Sequence, residues 1–108
     1  MIILGIDPGY INTGYGIINI INNKINFITE GVINTKNKNK YFIINNIYNK
    51  LLFIILKFKP INMAIEHIFV GKNFDSIIKL SYAKAASLLV AENNNIKIFE
   101  YNYNKVKK

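Results

Sequence analysis

Cysteine, arginine and tryptophan are missing from these 108 residues, and proline occurs only at positions 8 and 60. Without cysteine there is no disulfide framework and no thiolate metal centre, which is compatible with a reducing compartment. No apolar run approaches the ~18 residues a membrane-spanning helix needs, because Asn and Lys break up the 51% of hydrophobic residues. Met1 leads directly into an apolar run, with neither a basic leader segment nor a small-residue cleavage site. A signal peptide is therefore not expected, and the expected location is cytoplasmic with no membrane association. The length suits a single domain, residues 1–108, burying roughly 60–70% of its unfolded surface. In the absence of arginine, lysine alone supplies the 14 basic residues, against 6 acidic ones, for a net charge of +8. Such a balance favours polyanionic partners through counterion release. The abundance of Ile, Asn, Lys, Phe and Tyr also matches an AT-biased coding sequence, so the charge is supporting evidence only.

Against this background one carboxylate stands out. The apolar run Ile2, Ile3, Leu4, Gly5 and Ile6 reads as a strand buried on both faces, and it ends at Asp7. Pro8 and Gly9 then force a turn. Asp-Pro-Gly is an ordinary turn sequence, so Asp7 alone is as well explained as a turn former. A second run, Pro60, Ile61, Asn62, Met63, Ala64 and Ile65, ends in the same way at Glu66. If the two runs are neighbouring parallel strands, Asp7 and Glu66 meet at the edge of the sheet where ligand chemistry gathers. Adjacent carboxylates repel unless a cation lies between them. Mg²⁺ suits such a pair, because it accepts one or two carboxylates and keeps positions for water and phosphate.

The pattern along the chain reads β-β-β-α-β-α-β with a basic stub. Thr13 to Ile21 and Lys24 to Ile33 are β-branched and aromatic-rich, joined by a hairpin turn at Asn22-Asn23. Asn34 to Lys40 reads as a solvated polar connector. From Tyr41 to Phe58 apolar residues recur at helical spacing (Phe42, Ile43, Ile47, Leu51, Ile54, Ile55, Phe58), and Pro60 stops the helix. A second helix is expected after Asn73 and on to about Asn93, with Asp75 or Ser76 near its start favourable for capping. Its apolar residues cover more than one face, so it must be buried twice, once on the sheet and once against a partner subunit. A homodimer is the expectation, with a fully buried monomer helix as the alternative. Ile96 to Tyr101 alternates like a last strand.

Three blocks carry a resemblance: I-L-G-I-D-P-G-Y-I-N-T-G-Y-G at the start, A-I-E-H-I-F-V-G-K-N around Glu66, and F-E-Y near the end. Together they resemble RuvC, the bacterial Holliday-junction resolvase family, along the whole chain. The resemblance implies an α/β, RNase H-like fold, with a mixed five-stranded sheet flanked by helices. It implies a homodimer that holds four-way junction DNA and makes paired, Mg²⁺-dependent nicks in recombination and repair, alongside the RuvA–RuvB branch-migration complex. Asp7 and Glu66 match two of the family's catalytic, metal-binding carboxylates. Phe69 matches an aromatic that stacks on junction bases, though a plug in a hydrophobic corner is its plainer role. Lys72 and Asn73 are candidates for phosphate contact. Lys107 falls where the family has a basic residue near the scissile phosphate. His67 matches no required residue and reads as a surface or partly packed side chain.

The resemblance also implies a further helix with two more acidic residues, spaced Asp-x-x-Asp or nearly so. Glu30, Asp75, Glu92 and Glu100 do not occupy those positions, and the chain reads as truncated relative to the family, without its C-terminal helices. The expectations are a weakened metal site, an apolar patch where covering helices are missing, and junction cutting that is slow or absent. The alternative function is a non-catalytic, dimeric branched-DNA-binding remnant. A YqgF-type nuclease is disfavoured by the Glu66 to Asn73 block, and an actin-like ATPase needs a second phosphate loop and far more chain.

Overall fold

Seven elements follow the expected order: β1 Ile2–Asp7, β2 Asn12–Ile21, β3 Lys24–Asn34, α1 Lys40–Phe58, β4 Asn62–Glu66, α2 Phe74–Asn93 and β5 Lys97–Tyr101. They come from a computed structural model that describes residues 1–9, 11–36, 38–67 and 73–101. The strands form one mixed sheet in the order β3-β2-β1-β4-β5. β1, β2 and β3 are antiparallel neighbours, whereas β4 lies parallel to β1 and β5 parallel to β4. Two helical crossovers therefore carry the chain back across the sheet, β3-α1-β4 and β4-α2-β5. The ends of β1, β3, β4 and β5 consequently fall on one edge.

Strand alternation decides what is buried. Leu4 and Ile6, Ile17, Ile33, and Met63 and Ile65 form one face of the sheet, and all are buried. Ile43, Ile47, Leu51, Ile54 and Ile55 of α1 meet them, with Ala83, Ala86, Val90 and Ala91 of α2. Both helices thus cover the same face and pack on each other. On the opposite face, the alternate residues Ile25, Phe27, Val32 and Phe99 are exposed. These residues lie on the two outer strands, β3 and β5. On α2, Phe74, Ile78 and Leu89 also remain exposed, so that helix keeps apolar surface beyond its buried side.

Local chemistry accounts for the boundaries. The hairpin turn has Asn22 and Asn23 at φ 52° and 65°, the left-handed conformation that Asn tolerates in a two-residue turn. Asn39 caps α1, its side-chain oxygen accepting from the Phe42 N–H at 2.9 Å. At the other end Lys59 turns left-handed (φ 52°) and its N–H donates to the Ile55 carbonyl at 2.8 Å, immediately before Pro60. Two sequence expectations are refined. The cap of α2 is Asn73, whose side-chain oxygen accepts from the Ser76 N–H at 2.9 Å, while Asp75 lies in the first turn. The connector after β3 is not wholly solvated: Thr35 is buried, and its N–H and hydroxyl donate to the Ile11 carbonyl at 2.8 and 3.1 Å.

Candidate active site

The register of the sheet builds the site. β1 and β4 run parallel with Ile6 opposite Ile65, so the next residues, Asp7 and Glu66, emerge side by side. Both alternate with buried residues and stand on the face away from the helices. Gly14 of β2 pairs with Asp7 on one flank, and Tyr101 of β5 pairs with Glu66 on the other. Across four strands the row reads Gly14, Asp7, Glu66, Tyr101. Gly14 and Gly16 bring no side chains to that face, which leaves a cleft of about 640 Å³ beside Asp7. Glu30, Val32 and Tyr101 form part of its lining.

The turn after Asp7 is tightly determined. The Gly9 N–H points to the Thr13 hydroxyl, 3.5 Å away, and Thr13 is buried. A Cβ at Gly9 would collide with the backbone carbonyl of Asn12, so only glycine fits this close approach. Across the turn the Asn34 side-chain amide donates to the Asn12 side-chain oxygen at 2.6 Å.

An ion-pair cluster fixes the other flank. Lys84 of α2, with only 13% of its side chain exposed, lies 2.5 Å from a Glu100 carboxylate oxygen, and His67 Nδ1 lies 3.4 Å from the same atom. The hydrogen bond from Lys84 holds the Glu100 carboxyl below its ordinary value. Burial opposes that shift, and the charges of Lys84 and His67 add to it. The His67 N–H donates to the Tyr101 carbonyl at 2.8 Å, extending the β4–β5 ladder past Glu66. Tyr101 lies on the same flank, paired with Glu66. Burial first, then the charges of Glu66 and Asp7, push its hydroxyl above the ordinary value of 10.0. It is therefore protonated at neutral pH and able to donate.

Among the described residues no group of three or more His, Cys, Asp and Glu side chains could hold a metal ion. The pair that is present still suits a hard cation. Two carboxylates on adjacent strands bring their oxygens to one sheet edge, and such a pair would leave most of an octahedral shell to water and phosphate.

The family model described as crossover junction endodeoxyribonuclease RuvC matches residues 3–108. The chain belongs to the RuvC family. Its similarity to the RuvC of Baumannia cicadellinicola subsp. Homalodisca coagulata is 42% identity over 107 residues, covering 99% of this chain and 62% of that protein. With the RuvC of Orientia tsutsugamushi (strain Boryong) it is 39% over 109 residues, covering 100% of this chain and 69% of that one. The chain thus spans under two thirds of the Baumannia RuvC and a little more of the Orientia one. In fold it matches the T. thermophilus RuvC structure in complex with a Holliday junction substrate, with a TM-score of 0.90 and 23% identity over 99% of this chain and 69% of that one. The RNase H-like, mixed five-stranded architecture expected from the RuvC resemblance is therefore the observed one.

Of the residues singled out in the sequence, Asp7 and Glu66 come together at the sheet edge. Asn73 is described and serves as the α2 cap. Phe69, Lys72 and Lys107 lie outside the described residues. Sequence reasoning passed over Tyr101. The F-E-Y block contained it, but only the β4–β5 register places it beside Glu66.

Proposed function

We propose that residues 1–108 act as one RuvC-type nuclease unit that binds four-way junction DNA and nicks opposing strands with Mg²⁺. The observation that carries this reading is the parallel register of β1 and β4, which brings Asp7 and Glu66 onto one face as neighbours. In this reading the two carboxylates hold the ion through their oxygens and are the catalytic residues. A bound Mg²⁺ supplies Lewis-acid polarisation of the phosphodiester and activates water at neutral pH. Phe69 offers a ring on which an unpaired base can stack. Lys72, Asn73 and Lys107 contact phosphate, and Lys107 offsets charge that builds on the scissile group. The net charge of +8 supplies sequence-independent attraction to the junction arms.

The protein works as a homodimer, because paired nicks in opposing strands need two sites, and the exposed Phe74, Ile78 and Leu89 give α2 apolar surface for a second copy. RuvA–RuvB is its partner complex, and the cytoplasm is its location. None of the described helices is long and apolar enough to cross a membrane.

A synthetic four-way junction tests this. With Mg²⁺ present, symmetric nicks should accumulate and vanish in Asp7→Asn and Glu66→Gln, while junction binding persists. Nicking that survives both substitutions would overturn the assignment. A second reading, a dimeric branched-DNA binder without catalysis, draws support from the absence of a third metal-ligating side chain among the described residues. It requires tight junction binding with no metal-dependent nicking even in the native chain.

A further inference from the structure

Tyr101 shares the face and the edge of the two carboxylates. It is Cα-paired with Glu66 in the β4–β5 ladder, and Glu66 is the neighbour of Asp7. The cleft that opens beside Asp7 has Tyr101, two strands away, in its lining. Its position is held from behind. The Tyr101 carbonyl accepts from the His67 N–H at 2.8 Å, and the preceding residue, Glu100, is pinned to α2 through Lys84 at 2.5 Å. A half-buried phenol at this place is a neutral donor set among acceptors. Carboxylates that bind a cation commonly have their remaining oxygens hydrogen-bonded, and removing such a partner typically costs 10–100-fold in metal affinity.

We propose that Tyr101 is a positioning residue of the carboxylate pair: its phenolic O–H donates to the Asp7–Glu66 edge and fixes those side chains for a divalent cation. The inference rests on the metal-site reading of Asp7 and Glu66 and adds to it a residue from a third strand. The ring walls the cleft, and the hydroxyl orients the carboxylates. Removal of the hydroxyl alone therefore separates the two contributions, because Tyr101→Phe keeps the wall.

The test uses the full chain carrying ¹³Cζ-labelled tyrosine, titrated with Mg²⁺ alone and, in parallel, with Mn²⁺ as a paramagnetic probe. The resonance missing from Tyr101→Phe identifies Tyr101, and in the native protein it should shift as Mg²⁺ is added. The same shift should be absent in Asp7→Asn. Tyr101→Phe should bind Mn²⁺ about tenfold more weakly, with its thermal midpoint within about a degree of native. An unmoved Tyr101 resonance, or native Mn²⁺ affinity in Tyr101→Phe, overturns the positioning role while leaving the metal site intact. Native protein whose Mn²⁺ binding is indifferent to Asp7→Asn overturns both, and that outcome identifies the metal-site reading as the point of failure.

Discussion

The most direct perturbation of the site is Asp7→Asn. Asparagine keeps the size and the turn-forming hydrogen-bond capacity of aspartate, so the Asp-Pro-Gly corner survives and only the charge is lost. Neighbouring strands lie about 4.8 Å apart, and two unit charges ~5 Å apart repel by about 0.8 kcal/mol in water and about 3 kcal/mol at a surface dielectric near 20. Asp7 is exposed, which favours the lower end, about 1 kcal/mol. In metal-free buffer Asp7→Asn should therefore be the more stable protein, with a thermal midpoint raised by about 4 °C. Magnesium reverses the ranking. For a site with Kd on the order of 1 mM, about 10 mM Mg²⁺ stabilises the native chain by about 1.4 kcal/mol, or roughly 6 °C. Asp7→Asn should gain little of that. Differential scanning calorimetry with EDTA and then with Mg²⁺ gives all four midpoints. If Asp7→Asn melts lower than native without metal, or keeps the full magnesium shift, the two carboxylates do not share a site and the reasoning fails.

Two further expectations concern the scaffold around the site. The Lys84–Glu100 pair holds Glu100 below its ordinary value of 4.5, so its stabilisation is fully present above that pH and is lost as the pH falls through the lower folded value. Because 38% of the Glu100 side chain is exposed, the effect is under about 1 kcal/mol. Lys84→Met should flatten that part of the acid-unfolding curve in a urea titration, and an unchanged curve would refute the pairing. Gly9→Ala drives a methyl group into the Asn12 carbonyl and should cost roughly 1–3 kcal/mol; a chemical-denaturation midpoint equal to native would show that the turn relaxes freely.

Much of the fold was legible because its signals are local. Continuous apolar runs ending at Asp7 and Glu66 marked the parallel strands, Asn22-Asn23 marked the hairpin, and the helical spacing from Tyr41 to Phe58 marked α1 to within one residue of its observed start. The convergence of Asp7 and Glu66 was legible only conditionally, since it depends on two strands being neighbours across nearly 60 residues of chain. Features set by register were out of reach. The bulge between Ile17 and Ile18, the hydrogen bonds of the buried Thr35 to the Ile11 carbonyl and the placement of Tyr101 beside Glu66 all arise from three-dimensional pairing. Composition and periodicity do not encode it.

One layer of helices behind the sheet and none described in front leaves Asp7 and Glu66 on an open face, with the cleft beside Asp7 its concave part. Among the described residues the cleft beside Asp7 is open to solvent, so a small ligand lodged there would keep one side in water. A long, stiff polymer approaching broadside would lie across Gly14, Asp7, Glu66 and Tyr101 together. On the nuclease reading proposed above, this open face favours an extended polymer over a ligand that must be enclosed.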